Sequence, residues 1–235
     1  MTAVIAAAGS GERLGAGGPK AIVPLGGRPM IAWSLDACQA CGSVATIVVA
    51  VPAGHEHGLD GTEGLVTVDG GANRAQSVSN ALAVVETEYV AIHDAARPML
   101  TAALLEELVA ALAADPEADA IVAAAPVTDT VKKVRVEFQF QSNGNSTRVI
   151  DETVDRSRLW AAQTPQVFRT EALRSGLRVD EAARDAATDE AMLIEAAGGK
   201  VLIHDAGAAN LKVTTPLDLR VAELLLAERA TGGAA

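Results

Sequence analysis

Chemistry concentrates first in the segment Ala6-Ala7-Ala8-Gly9-Ser10-Gly11-Glu12-Arg13-Leu14-Gly15-Ala16-Gly17-Gly18-Pro19-Lys20. It directly follows an apolar run, 2–7, that reads as a strand. Small residues let a backbone approach a phosphate or a base closely, and successive N–H groups can then face an anion. Arg13 and Lys20 add two fixed positive charges to the same loop. Three readings compete on spacing. A P-loop requires Gly-Lys followed by Ser or Thr, but Lys20 precedes Ala21 and the glycines are misplaced. Gly9, Gly11 and Gly15 are spaced one residue too long for a dinucleotide-binding fingerprint. A Gly-rich turn without a ligand explains the glycines but not the two cations among them.

Further polar clusters follow in order: Asp69-Gly70-Gly71-Ala72-Asn73-Arg74-Ala75-Gln76-Ser77-Val78, Val90-Ala91-Ile92-His93-Asp94-Ala95-Ala96-Arg97-Pro98, Thr153-Val154-Asp155-Arg156, Ala162-Gln163-Thr164-Pro165-Gln166, Thr188-Asp189-Glu190-Ala191 and Asn210-Leu211-Lys212-Val213-Thr214. Ala-Ala-Gly-x-Gly-x-Arg followed by Pro-Lys resembles the signature of nucleotidyltransferases that activate sugars and polyols. The ordered set is similar to the 2-C-methyl-D-erythritol 4-phosphate cytidylyltransferases of the non-mevalonate isoprenoid route.

That resemblance implies a reaction in which CTP gives CMP to a polyol phosphate and pyrophosphate leaves. It implies a nucleotide site of Ala7, Ala8, Gly9, Gly11, Lys20, Gly71, Ser77, Asp94 and Ala95, with Arg13, Lys20 and Lys212 in catalysis. Asp94 is the implied contact for Mg²⁺, directly or through water, or for the ribose. Arg97, Thr153, Thr188 and Lys212 fall on positions that hold the acceptor, with Arg97 and Thr153 crossing a homodimer. Some members use an Arg after Thr-Pro-Gln; that place is Thr170 here, so Arg169 is a candidate one residue away. Two features depart from the pattern. Position 72 is Ala where many members carry a polar or acidic residue, and the arm around 139–146 is longer. A ribitol 5-phosphate cytidylyltransferase and a non-catalytic nucleotide-binding regulator stay open as alternatives.

The elements that must position these residues read as alternating strands and helices. Strands are expected at 2–7, 45–51, 65–68, 89–93, 120–125, 200–204 and 210–213. Helices are expected at 29–40, 74–85, 101–113, 170–185, 188–197 and 216–230. This alternation predicts a three-layer, Rossmann-like α/β nucleotidyltransferase fold with a mostly parallel sheet, one domain over 1–235. In such a sheet, ligands bind at the carboxyl ends of strands, where the first loop and His93–Asp94 would fall. His93 itself reads as a packed strand residue. Between 127 and 155 the pattern changes: 132–140 and 148–154 alternate at strand period around Asn143-Gly144, which predicts a protruding β-hairpin arm suited to gripping a second subunit.

Composition narrows the partners. The chain has 235 residues, 49% hydrophobic but only 3% aromatic, so its core must rest on Val, Ile, Leu and Ala, as in a helix-covered parallel sheet. A net charge of −11 argues against a nucleic-acid partner and requires a local cation cluster for any anionic substrate. The first strand begins near Met1 and no apolar run reaches membrane-spanning length, so a cytoplasmic location is expected. Cys38 and Cys41, with His55 and His57 downstream, invite a zinc reading, but the His-x-His spacing is wrong for it. Two small residues on one helix face are the simpler account.

Overall fold

The computed structural model describes residues 1–9, 11, 14, 18–54, 59, 64–139, 146–179 and 181–232. In chain order the elements are β1 (Thr2–Ala6), a 3₁₀ turn (Lys20–Ile22), β2 (Pro24–Leu25), β3 (Arg28–Pro29), α1 (Met30–Gln39), β4 (Thr46–Val51), β5 (Leu65–Asp69), α2 (Arg74–Leu82), β6 (Tyr89–Asp94) and α3 (Ala102–Ala114). They continue with β7 (Ala120–Pro126), β8 (Lys132–Gln139), β9 (Ser146–Thr153), β10 (Trp160–Arg169), α4 (Thr170–Gly176), α5 (Glu181–Ala186), α6 (Glu190–Ala196), β11 (Val201–Asp205) and α7 (Pro216–Gly232).

Seven strands form one sheet in the order β11-β7-β10-β6-β1-β4-β5. β1 pairs in parallel with β4 and β6, β4 with β5, and β7 with β11. Because strand side chains alternate between faces, the apolar strands feed two cores. Ala3, Ile5, Ile47, Val49, Ala91 and Ile121 face Ile31 and Leu35 of α1 and Leu105, Leu108 and Leu112 of α3. Val4, Val48, Val90, Ile92, Val122 and Phe168 face Val78 and Leu82 of α2, Leu173 of α4 and Leu193 and Ile194 of α6. The layering is therefore helix, sheet, helix, as the sequence predicts. A third cluster joins Leu25, Met30 and Met99 to Val213 and to Ala222 and Leu226 of α7. The helix starts carry the caps their residues suggest: the Thr101 side chain accepts from Leu104 N–H and Asn73 from Gln76 N–H.

Three features differ from the sequence reading. The first is β10, which is antiparallel to both neighbours and lies between β6 and β7. The Thr164-Pro165 pair inside it argues against a central strand. The structure accommodates the proline where the register shifts between Ala162 and Gln166. The second is 210–213, expected as a strand; it is irregular, because its hydrogen bonds go to loops and side chains instead of a ladder. The third is the expected helix over 170–185, which is two short helices, α4 and α5. A two-residue turn of Gly26 and Gly27, both with positive φ (60° and 82°), also closes a small β2–β3 hairpin.

The arm is present as β8 and β9, an antiparallel pair separate from the main sheet. Its Asn143-Gly144 turn lies outside the described residues. Among the described residues, no helix is long and apolar enough to cross a membrane.

Candidate active site

The chain runs from β1 outward to β4 and β5, then returns to place β6 on the other side of β1. Such a reversal opens a crevice at the strands' carboxyl ends. A cleft of about 620 Å³ occupies it, lined by Ala6 to Gly9, Gly11, Leu14, Lys20 and Ala21, by Gly71 to Arg74 and Ser77, by Asp94 to Ala96, and by Lys212 and Thr214. That volume is in the range of small-ligand sites.

The first wall is the Gly-rich loop. Ala7 N–H donates to Ala50 O at 2.9 Å, and Lys20 N–H donates to Gly9 O at 3.0 Å, so the loop closes on itself and brings Lys20 beside the end of β1. Gly11 has φ +73°, and a Cβ there would stand 2.9 Å from Gly18 O; only glycine fits this turn. Arg13 lies outside the described residues.

The second wall follows β5. Gly70 N–H donates to Val51 O at 2.7 Å. A Cβ on Gly70 would overlap the Ala8 Cβ, so the two loops touch only because residue 70 is glycine. Gly71 N–H donates to Ser77 Oγ at 3.0 Å, and that hydroxyl donates to Asn73 O at 2.9 Å. Ser77 thus keeps one lone pair for a ligand. Ala72 is exposed, and its N–H donates to Gln76 Oε1 at 2.9 Å.

The third wall is the end of β6. Asp94 is 7% exposed and lies between two cations. Arg74 Nε donates to Oδ1 at 3.0 Å, and Lys212 Nζ donates to Oδ2 at 2.6 Å. Burial alone would push this carboxyl up, but Arg74 and Lys212 outweigh it and hold it well below the usual carboxylate range. Arg74 also pairs with buried Glu190. Burial opposes the Arg74 charge, yet Glu190 and Asp94 hold its guanidinium above the usual range. For Glu190, burial prevails over Arg74 and the carboxyl is raised.

His93 and Thr164 fasten this wall from behind. His93 Nε2 lies 3.1 Å from Arg97 O. A carbonyl only accepts, so Nε2 carries the proton and Nδ1 is left to accept. Thr164 Oγ1, 3.2 Å from Nδ1, is then the donor, and it accepts from Asp94 N–H at 3.0 Å. Burial pushes the His93 imidazole down to about 4, so it stays neutral at pH 7 and serves packing, as read from the sequence. Asn210 ties in Lys212: its Nδ2 donates to Gln163 Oε1 at 2.8 Å and Thr164 O at 2.9 Å, and Val213 N–H donates to Ala96 O at 2.8 Å.

The cleft therefore gathers every described member of the expected nucleotide set: Ala7, Ala8, Gly9, Gly11, Lys20, Gly71, Ser77, Asp94 and Ala95, with Lys212. The acceptor candidates other than Lys212 are placed differently. Arg97 is 9% exposed and its Nη1 donates to Asn210 O at 2.7 Å; it anchors the Lys212 segment and is not on the cleft wall. Thr153 is on the arm, where it accepts from Lys132 Nζ at 2.6 Å. Thr188 is exposed just before α6. Arg169 is not among the residues that line the cleft. It pairs in register with Tyr89, at the start of β6, five residues from Asp94. Its guanidinium donates to Ala118 O at 2.9 Å and to the Tyr89 hydroxyl at 3.2 Å. It closes the opposite edge of the sheet and is remote from the cleft.

Arg74, Thr164, Glu190 and Asn210 fall inside the sequence motifs, but the motifs assign them no role. Their partners are distant in sequence, so no local spacing marks them. Cys38 and Cys41 are buried free thiols. Burial raises Cys38 to about 12, and Cys41 Sγ donates to Glu106 at 3.2 Å. His55 and His57 lie outside the described residues. Among the described residues, no group of three or more His, Cys, Asp or Glu could hold a metal.

Comparison with known proteins gives the family. The family model described as 2-C-methyl-D-erythritol 4-phosphate cytidylyltransferase (IspD) matches residues 1–228. A protein of that name from Parasynechococcus marenigrum (strain WH8102) is 43% identical over 236 residues, covering 97% of this chain and 99% of that protein. One from Symbiobacterium thermophilum is 40% identical over 240 residues, covering 98% and 94%. The crystal structure of the Thermus thermophilus protein of the same name superposes with a TM-score of 0.74 at 31% identity, covering 95% of this chain and 97% of that one. The chain belongs to the 2-C-methyl-D-erythritol 4-phosphate cytidylyltransferase family.

Proposed function

We propose that this cleft binds CTP and passes its CMP group to 2-C-methyl-D-erythritol 4-phosphate, in the cytoplasm, as a step of isoprenoid precursor synthesis. The carrying observation is the charge of the walls. In a chain of net charge −11, the described lining residues include Lys20, Arg74 and Lys212 but one acid, Asp94. An anionic ligand is what such a lining suits, and the closed Gly-rich loop beside Lys20 suits its phosphates.

The base would lie against the β5–α2 wall, where the spare lone pair of Ser77 can accept from an exocyclic amino group. This would separate cytosine from uracil, because uracil presents a carbonyl at that position. Phosphates would lie between the Gly-rich loop and Lys20, with Arg13 on the same loop. An oxygen of the acceptor's phosphate attacks the α-phosphorus in line. One P–O bond forms, the bond to the β-phosphate's bridging oxygen breaks, and pyrophosphate leaves with that electron pair. The acceptor's second pKa is near 6, so it arrives largely dianionic and no general base is needed. Catalysis then rests on positioning and on charge cancellation by Lys20 and Arg13, while Lys212 holds the acceptor's phosphate in place for the attack.

Mg²⁺ fits this lining. It keeps several waters and takes one or two carboxylates plus phosphate oxygens, and Asp94 supplies one carboxylate once Lys212 turns to the substrate. When bound it would supply neutralisation of the triphosphate. We place Arg97 behind the acceptor, holding the Lys212 segment, and Thr153 and Thr188 at its edge, with Thr153 reaching a neighbouring copy through the arm. Val134 and Ile150 form a cross-strand pair on the arm and are 44% and 55% exposed, an apolar face that a second subunit would cover.

Calorimetric titration tests the nucleotide assignment. With Mg²⁺ present, CTP should bind roughly 5- to 150-fold tighter than UTP, in line with ~1–3 kcal/mol for one hydrogen-bonding group left unpaired. The Ser77→Ala variant should lose most of that preference. Equal binding of the two nucleotides by the unaltered protein would remove the cytidine assignment.

A further inference from the structure

The sequence motifs give no role to Glu190, yet it is one of the most deeply buried acids in the chain, 2% exposed. Its place is rigid. Asp189 accepts from Met192 N–H at 3.0 Å and so caps α6, while Gln166 Nε2 on β10 donates to the same Asp189 side chain at 2.8 Å. Leu193 and Ile194 lock the helix into the core beside it. Glu190 then meets Arg74, 116 residues away in sequence.

Arg74 needs this restraint. It is the first residue of α2, where the helix dipole disfavours a cation, and its side chain is 28% exposed to the cleft. One carboxylate would leave the guanidinium free to pivot. Two carboxylates, Asp94 on Nε and Glu190 on Nη1, fix its plane, because the guanidinium presents its donors in a rigid fork. The four groups Glu190, Arg74, Asp94 and Lys212 alternate in sign and sum to zero charge.

We propose that Glu190 is a positioning residue for the nucleotide site: through Arg74 it fixes the Asp94 carboxylate on the cleft wall, so that only Oδ2 is left to exchange Lys212 for a ligand. The proposal rests on the reading that the cleft binds CTP. Glu190 stays clear of substrate and acts through Arg74 and Asp94 alone. Without its charge, Arg74 would turn toward the phosphates and take Asp94 Oδ1 out of place.

The test is calorimetric CTP binding with and without Mg²⁺, alongside thermal unfolding and the acceptor KM at saturating CTP. Glu190→Gln keeps the shape and removes the charge. It should weaken CTP binding in the presence of Mg²⁺ on the order of 10- to 100-fold, the usual loss for a group supporting a ligand from behind, and leave the acceptor KM within about twofold. In an Asp94→Asn background, Glu190→Gln should add less than about twofold, because its route is already cut. A merely structural role would lower the unfolding temperature without this dependence on Asp94. Arg74→Lys keeps the charge and loses the fork; it should show the same loss, and it decides the matter if Glu190→Gln fails to fold. CTP affinity unchanged in Glu190→Gln, or an equal loss in the Asp94→Asn background, overturns the proposal. Absence of CTP binding by the unaltered protein would instead overturn the function on which it rests.

Discussion

Acid should loosen this fold through His93 before the ordinary carboxylates titrate. His93 is 1% exposed, between Arg97 O and the Thr164 hydroxyl, and burial lowers its pKa from 6.5 to about 4. Between those values the unfolded chain binds a proton that the folded chain refuses. The stabilisation is therefore complete above pH 6.5 and lost as pH falls toward 4, where the loss reaches about 3 kcal/mol. At pH 5 it is about 2 kcal/mol. For a chain of this length that corresponds to a fall of roughly 4–8 °C in unfolding temperature. Urea unfolding at pH 7.5, 6.5 and 5 measures it, with His93→Gln as the control. Glutamine can still donate to Arg97 O but cannot titrate, so subtracting its slope removes every other group. A pH slope equal in the two proteins, or an imidazole resonance titrating near 6.5, would refute the reasoning.

Other perturbations probe the walls of the cleft. Lys20→Ala should lower kcat on the order of 10²–10³-fold, by analogy with loss of one oxyanion donor, with an unchanged circular dichroism spectrum; near-normal kcat would remove Lys20 from the chemistry. Gly70→Ala forces a Cβ against Ala8 and within 3.0 Å of Val51 O. It should cost about 1–3 kcal/mol of stability and weaken CTP binding, both read by titrating CTP into thermal unfolding. Lys212→Ala should chiefly raise the acceptor KM, because it removes a ground-state phosphate contact; a fall in kcat with KM unchanged would assign Lys212 to the transition state instead.

Much of this was legible in the sequence because it is local. Short apolar runs read at 45–51, 65–68 and 120–125 match the strands to within a residue at either end, and the helix starts expected at 101 and 74 are capped by Thr101 and Asn73. The placement of the first loop, Gly70–Ser77 and Asp94 on one edge followed from a single rule about strand carboxyl ends. What escaped was non-local. β10 pairs antiparallel in the middle of the sheet although Pro165 argues against it, because β6 and β7 supply partners that local propensity does not include. Segment 210–213 has strand-like residues, but Asn210 directs its hydrogen bonds to Gln163 and Thr164. Arg169 read as a ligand for an anion because it follows a motif; the antiparallel direction of β10 carries it to the other edge. The Glu190–Arg74–Asp94 line depends on the first residue of α6 reaching Arg74 at the start of α2, and on Arg74 reaching the end of β6; the spacing of the three residues says nothing of it.

Turnover tests the central claim most directly. Pyrophosphate release should be followed with CTP, Mg²⁺ and 2-C-methyl-D-erythritol 4-phosphate, with ribitol 5-phosphate as the parallel acceptor and ATP, GTP and UTP as parallel donors. The cleft and its family assignment predict release that needs both CTP and the methylerythritol phosphate. Release with ribitol 5-phosphate alone would contradict the acceptor, and no release with either acceptor would contradict the reaction.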